Sequence, residues 1–334
     1  MGLVLSASRF GKLMEEWSKK YDIYAPALFE GSGPFSDTDQ VRYAKVTSLE
    51  EIVFDKKSNY PFKEAILPIT QVLFYFTEDE VREAAPRGRD AVIFLRSCDF
   101  NALRSLDAIY IRNVIEDHYY KGVRERAKFV VMGCESSFDN CFCVDMETNT
   151  CSGYDAYIHL EADSVTLDIV NPELADSFSF ESGENAQITP KFVTATTTRV
   201  NIPGNLDASV AGSDMWDEYH TRCTSCGRCN FVCPTCTCFS MQDVSYTDNG
   251  KCGERRRVWA SCQVDGFTDM AGGHSFRANK GQRTRYRVLH KVYDFKKRNG
   301  YHMCVGCGRC SDACQEYISF SACVNKLEKA MGVK

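Results

Sequence analysis

The sequence predicts two regions of different class: a mixed α/β domain over residues 1–205 and a mainly α-helical domain over residues 217–334, joined by a linker at 206–216. Three observations predict this division. Apolar β-rich runs alternate with amphipathic segments in the first two hundred residues. Five of the 18 cysteines lie there, whereas thirteen crowd between 223 and 323. Between the two regions, Pro203-Gly-Asn-Leu-Asp-Ala-Ser-Val-Ala-Gly-Ser-Asp214 is poor in large apolar residues and punctuated by glycine and proline, as connecting segments are. A chain of 334 residues with 44% hydrophobic side chains has length for two ordinary domains and material for a substantial core.

The elements follow in order. Leu5 to Tyr21 places Phe10, Leu13, Met14, Trp17 and Tyr21 at helical spacing, so an amphipathic helix is expected. Thr77 followed by Glu80 is a capping-box signature and predicts a helix running to about Ala85. Ala91–Leu95, Phe129–Met132, Tyr157–Leu160 and Val165–Val170 are rich in β-branched and aromatic residues and read as strands. The first of these passes through Arg96-Ser97-Cys98 into a helix from Asp99, with Ala102, Leu103, Leu106 and Ile109 on one face. Strands alternating with helices give the mixed α/β class.

Charge and termini narrow the setting. Forty Lys and Arg against 45 Asp and Glu, a net −5, describe neither a basic nucleic-acid binder nor an acidic disordered chain. The first residues have no positive segment followed by a long apolar one, so no secretory signal is expected. No apolar run approaches the roughly 18–20 residues of a membrane span. Gly2 with Ser6 fits the myristoylation pattern, but no polybasic second signal accompanies it and the match reads as coincidence. A cytoplasmic, reducing setting without a membrane partner is expected, and there dense cysteines mean metal more often than disulfides.

Two cysteine runs carry the chemistry. Cys223-Thr-Ser-Cys226-Gly-Arg-Cys229-Asn-Phe-Val-Cys233-Pro and Cys304-Val-Gly-Cys307-Gly-Arg-Cys310-Ser-Asp-Ala-Cys314 are both C-x2-C-x2-C-x3-C, the bacterial ferredoxin spacing for a [4Fe–4S] cluster. They share Cys-x-x-Cys-Gly-Arg-Cys and form an internal repeat. Three thiolates from one tight loop reach three irons, and the fourth comes from elsewhere. In two-cluster ferredoxins it comes from the other run. Carried over, one cluster takes Cys223, Cys226, Cys229 and Cys314, and the other takes Cys304, Cys307, Cys310 and Cys233. Gln315 stands where a proline usually follows the second run; proline is no ligand, so the assignment stands. Zinc is the competing reading, though zinc prefers two separated C-x2-C pairs to overlapping ones. The runs are about 70 residues apart in the sequence, so a compact βαββαβ ferredoxin is not expected. A helical ferredoxin-like domain with a long insertion is.

Residues 251–298 of that insertion carry 13 Lys and Arg against 4 Asp and Glu, a net +9 that leaves −14 elsewhere. Such charge can dock a partner, raise the potential of negative clusters or simply be solvated. Nucleic acid is not expected, because Arg277, Arg283, Arg285 and Arg287 lack regular aromatic interleaving. Arg228 and Arg309, inside the runs, are candidates for tuning the clusters or are solvated surface charges.

A further constellation lies in the first region. Cys98 sits where a strand enters a helix, a position that favours a thiolate. Cys134 ends the strand Phe129–Met132, and Cys141-Phe-Cys143 follows. Cys98, Cys134, Cys141 and Cys143 can close a third [4Fe–4S] site, with Cys151 in reserve and Asp99 or Asp145 as oxygen ligands. They also read as small buried hydrophobes, and spacing alone does not separate the two. Cys236, Cys238, Cys252, Cys262 and Cys323 read as structural. No dinucleotide fingerprint follows any strand, since Gly272-Gly273-His274 lacks its spacing. No histidine metal constellation or Ser/His/Asp arrangement is legible, so no catalytic substrate site is expected.

The series Arg96-Ser-Cys-Asp-Phe-Asn-Ala-Leu103, Cys134 with Cys141-Phe-Cys143, Cys233-Pro-Thr-Cys-Thr-Cys238, Trp259-Ala-Ser-Cys262, Gly272-Gly-His-Ser-Phe-Arg277 and Cys304-Val-Gly-Cys-Gly-Arg-Cys310 resembles the iron–sulfur electron-transfer subunit of anaerobic sulfite reductase. More distantly, it is similar to the beta subunit of sulfhydrogenase-type nickel–iron hydrogenases. The resemblance spans about residues 5 to 325. It implies an electron carrier standing between an NADH-oxidising flavin subunit and a sirohaem subunit that reduces sulfite to sulfide. Neither flavin nor sirohaem would reside in this chain. It also favours Cys98, Cys134, Cys141 and Cys143 as ligands, because they fall on the family's motifs. Where the family has Arg-Pro-Cys-Asp, this chain has Arg96-Ser97-Cys98-Asp99, a less rigid turn that removes no ligand. The alternatives are an electron-transfer subunit of a hydrogenase or polysulfide reductase, and a zinc-stabilised interaction protein.

Overall fold

The computed structural model describes residues 1–33, 37–85, 88–176 and 184–332. They form two units that interleave along the chain: 1–68, 86–138 and 147–196 in one, and 69–85, 139–146 and 197–334 in the other. A single cut near residue 205 therefore does not describe the division. The strands in chain order are β1 (Gly2–Ser6), β2 (Asp22–Phe29), β3 (Gln40–Lys45), β4 (Thr70–Phe76), β5 (Val81–Glu83) and β6 (Ala91–Arg96). They continue with β7 (Ala127–Met132), β8 (Ala156–Glu161), β9 (Ser164–Ile169), β10 (Glu184–Asn185), β11 (Phe239–Ser245) and β12 (Gly253–Trp259).

The first unit is the expected mixed α/β domain. Its eight strands run in the order β10-β1-β9-β8-β7-β6-β2-β3. The central pairs β2–β6, β6–β7 and β7–β8 are parallel and the outer pairs antiparallel. The four strands read from the sequence are β6 to β9, each within a residue or two of its expected bounds. Val92, Phe94, Val130, Met132 and Ile158 are buried, as parallel strands covered on both faces require. Helix Ala7–Lys20 is capped by the Ser6 hydroxyl and buries Phe10, Leu13, Met14 and Trp17 against this sheet. Strand β6 passes directly into helix Ser97–Tyr110, so Cys98 sits in the first turn of that helix.

The second unit departs from the expected mainly helical domain. It contains an antiparallel four-stranded sheet in the order β11-β12-β4-β5. The hairpin β11–β12, from the insertion between the cysteine runs, pairs through β12 with β4, so that Arg257 lies opposite Gln71 and donates to its side chain (2.7 Å). The helix expected from Thr77 is absent; Thr77 and Glu80 instead close the β4–β5 hairpin. The Thr77 hydroxyl accepts from the Asp79 and Glu80 amides, the same side-chain-to-backbone bond that would start a helix. The segment read as a linker is packed. Val210 and Trp216 are buried, and the Trp216 indole donates to the Val210 carbonyl (2.8 Å). They join Phe142, Tyr219, Val288, Phe320 and Leu327 in this unit's core. Helix Lys280–Leu289 continues through one π-helical turn, His290–Asp294, into Phe295–Asn299, which Gly300 ends at φ 80°. No helix among the described residues is long and apolar enough to cross a membrane.

Candidate iron–sulfur sites

The two cysteine runs fold alike. In each, the residue before the second cysteine is left-handed (Ser225 φ 61°, Gly306 φ 64°), and so is the residue after it (Gly227 φ 75°, Gly308 φ 72°). These turns bend the chain so that its amides face the sulfurs. Ser225 N–H donates to Cys223 Sγ at 3.4 Å, and Gly306 N–H donates to Cys304 in the same way. A four-residue helix then carries the third cysteine, Arg228–Phe231 in the first run and Arg309–Asp312 in the second.

Two cavities result. Cys223, Cys226, Cys229 and Cys314 line one, with Gln263 and Arg287. Cys233, Cys304, Cys307 and Cys310 line the other, with Arg287 and Lys291. Each set of four thus draws three sulfurs from one run and one from the other. Cys310 also reaches the first cavity. The donor chemistry fits thiolate-ligated iron–sulfur clusters better than zinc. Tetrahedral zinc at 2.3 Å from each sulfur brings the sulfurs to about 3.8 Å from one another. Among the described residues no three cysteine sulfurs lie within 4.8 Å of one another. That spacing is met only by Glu135, His159 and Glu161 in the first unit, where the Lys191 ammonium already pairs with both carboxylates.

The electrostatics of the cavities come from two buried cations. Burial opposes charge on Lys291, yet the thiolates of Cys233 and Cys236 hold its pKa above the ordinary lysine value. Burial likewise opposes Arg287, and Cys229, Cys310 and Cys233 outweigh it. Burial pushes the thiols of Cys229 and Cys304 up to about 12. Burial also raises Cys233, but Lys291 beside it, helped by the Thr235 hydroxyl, brings it below the ordinary thiol value. The basic stretch 251–298 is therefore only partly a solvated face: Arg257, Arg283, Arg287 and Lys291 are buried, and Arg255 pairs with Asp243. The arginines of the runs divide as well. Arg228 is exposed and Arg309 is buried.

The candidate third set divides between the units. Cys98 and Cys134 belong to the first, where β6 and β7 end side by side. Arg96 ties these ends together by donating to the Gly133 carbonyl (2.8 Å) and to Phe54. Cys151, the reserve ligand, neighbours Cys134, and burial followed by that neighbour pushes its thiol up to about 12. Cys141 and Cys143 belong to the second unit, on a segment laid against the second run. There Phe142 N–H donates to the Gly306 carbonyl (2.8 Å) and Cys141 Sγ to the Cys307 carbonyl (3.4 Å). Asp145 is engaged by Arg199 and the Val200 amide (2.6 Å), and Asp99 is fully buried in its helix.

Three cysteines read from the sequence as structural come together in the second unit. Cys238 hydrogen-bonds with both Cys236 and Cys262, and Cys262 accepts from the Asn230 amide (3.1 Å). The Cys238 bond holds the Cys262 thiol low, with burial opposing and Asn230 assisting. The Cys-Thr-Cys spacing and the ladder between β11 and β12, which sets Cys238 opposite Ala260, were the available signal.

Residues 222–318 match the family model of the 4Fe-4S dicluster domain. The chain carries an iron–sulfur domain. Over 97% of this chain and 99% of its own length, Sulfhydrogenase 2 subunit beta of Pyrococcus furiosus is 26% identical. The likeness is thus to an oxidoreductase subunit of the hydrogenase-beta type, and sulfite reductase is not among what it supports.

Proposed function

We propose that this chain is the iron–sulfur electron-transfer subunit of a heteromeric, cytoplasmic oxidoreductase. The observation that carries this reading is the pair of cavities lined by cysteines drawn from both runs, five at the first (Cys310 among them) and four at the second. Cys223, Cys226, Cys229 and Cys314 would hold one [4Fe–4S] cluster, and Cys304, Cys307, Cys310 and Cys233 the other. A cluster so held supplies one-electron transfer, with its potential tuned by hydrogen bonds to sulfur, charge and burial. The chain's own part is to place the sulfurs and supply the amide donors of Ser225 and Gly306. Cys98, Cys134, Cys141 and Cys143 are proposed as ligands of a third cluster.

In this reading a flavin subunit feeds electrons in and a catalytic subunit of the hydrogenase type takes them out, as the likeness to a sulfhydrogenase subunit favours. The second reading, a sirohaem partner that reduces sulfite with NADH, is favoured by the Arg96-Ser-Cys-Asp99 and Cys141-Phe-Cys143 elements. Anaerobic purification with iron and acid-labile sulfide analysis tests the cofactors: about eight irons per chain is expected for two clusters and about twelve for three. A colourless, zinc-containing chain without sulfide overturns the reading. Co-purified partners assayed with hydrogen and with sulfite separate the two catalytic partners.

A further inference from the structure

The helix Lys280–Leu289 and its π-helical continuation put two cations, Arg287 and Lys291, one turn apart on the face that meets the cysteine runs. Both are buried, at 8% and 4% exposure. Lys291 Nζ donates to Thr235 Oγ1 (3.0 Å) and approaches Met303 Sδ (3.8 Å). Arg287 donates to Asn230 Oδ1 (3.1 Å), the Cys229 carbonyl (3.5 Å) and the Cys310 sulfur, and stacks over Phe320. Among the described residues neither makes an ion pair with a carboxylate. A buried charge left without an opposite charge is strongly destabilising, so proteins retain one where an anion answers it. Both cations line the cavity of Cys233, Cys304, Cys307 and Cys310, whereas only Arg287 lines that of Cys223, Cys226, Cys229 and Cys314.

We infer that Lys291 and Arg287 are built-in counter-charges that set cluster potentials, Lys291 acting on the second-run cavity alone and Arg287 on both. This rests on the cluster reading above and adds to it a division of labour between two positioning residues. Accepting one electron adds one negative charge within the thiolate cage, with no bond made or broken. A fixed cation nearby favours that charge, and the low dielectric of a buried site strengthens the effect. The π turn serves the arrangement, because such single wide turns concentrate where a helix must aim a functional group. Lys291 lies in it, and its carbonyl accepts from the Met303 amide (2.9 Å), which ties the turn to the start of the second run.

The test is a redox titration of the full-length, anaerobically loaded chain, followed by electron paramagnetic resonance, with iron and sulfide measured in every sample. Lys291→Met is expected to make one cluster at least tenfold harder to reduce, a shift of about 59 mV for one electron, and to leave the other unmoved. Lys291→Arg is expected to keep the native potential. Arg287→Met is expected to shift both clusters. Cys307→Ser identifies which signal belongs to the second run. Fully loaded Lys291→Met with native potentials, or with both clusters shifted equally, overturns the proposal. Should Lys291→Met fail to take up iron, Lys291→Gln and Thr235→Val carry the same measurement. Loading by Lys291→Arg alone supports a requirement for charge, and failure of every substitution, arginine included, overturns it in favour of packing. Absence of iron from the unaltered chain is a different outcome, which overturns the cluster reading itself.

Discussion

The two cysteine runs share seven-residue cores with the same cysteines, the same Gly-Arg pair and the same left-handed turns, yet they stand in opposite settings. The first run faces solvent: Cys226 and Arg228 are exposed. The second is enclosed: Cys307, Gly308 and Arg309 are buried, and the segment 139–146 closes over it. What differs is therefore the surroundings rather than the ligand loop. The enclosed run has a private lysine and backbone neighbours within van der Waals contact; the open run has side chains that can move. The same loop then tolerates different changes, and four predictions exploit that contrast.

The largest effect is expected from the ligands themselves. Cys307→Ser replaces a buried thiolate with a shorter, poorly ligating hydroxyl. It should lower iron by about four atoms per chain and loosen the second unit. Cys226→Ser should lose its cluster reversibly, with the fold retained by circular dichroism. Equal loss of fold in both would remove the distinction between an open and an enclosed run.

The next effect comes from exchanging the residue before the second cysteine. Gly306 has φ 64°, and a Cβ there would lie 2.6 Å from the Phe142 and Cys143 backbone. Gly306→Ser combines about 1–2 kcal/mol for a left-handed non-glycine residue with about 1–3 kcal/mol for overpacking against atoms that cannot swing away. A loss of roughly 3 kcal/mol in denaturant unfolding is expected. A loss below about 1 kcal/mol would mean that segment 139–146 moves freely off the second run.

The helix bearing the cations also carries a group that makes the fold sensitive to acid. Burial, with Lys291, Arg298 and Arg277 nearby, pushes the His290 pKa down to about 4 from an ordinary 6.5. The ring stacks on Tyr286 with centroids 5.4 Å apart. Above pH 6.5 the ring is neutral in both folded and unfolded chains and no stability depends on it. Below that, the unfolded chain binds the proton first, so stability falls as pH drops from 6.5 towards 4. The full loss is about 3 kcal/mol, at about 1.4 kcal/mol per unit. Unfolding curves of the chain and of His290→Gln between pH 7 and pH 4 should converge, and parallel curves would show that another group carries the acid sensitivity.

How much of this was readable beforehand depends on how local the cause is. The strands β6 to β9 were legible because consecutive β-branched residues need no distant partner to identify them. The ligand runs were legible for the same reason, since a cluster dictates spacing within a dozen residues. Strand β4 was not, because Thr70–Phe76 finds its pairing partner in β12, far along the chain. Thr77 misled because a hydroxyl that accepts backbone amides serves turns and helix starts equally. Lys291 and Arg287 looked like members of a solvated basic face. Only the fold reveals that they are buried, and their meaning follows from which cavity each one lines.

The smallest effect is the reciprocal exchange in the open run. Ser225 holds φ 61° without being glycine, and its hydroxyl accepts from the buried Arg283 guanidinium at 3.0 Å. Ser225→Gly relieves about 1–2 kcal/mol of left-handed strain. It forfeits a hydrogen bond to a charged donor, worth about 1.5–3 kcal/mol where no substitute exists. Arg283 keeps Asp265 at 2.6 Å and the Arg277 and Ala278 carbonyls at 3.2 Å, so most of that loss is covered. The amide bond from residue 225 to Cys223 Sγ is backbone and survives the change. Stability within about 1 kcal/mol of the unaltered chain is therefore expected, with both clusters retained. A cost as large as that of Gly306→Ser would show that the two runs are equally constrained and that their surroundings do not set them apart.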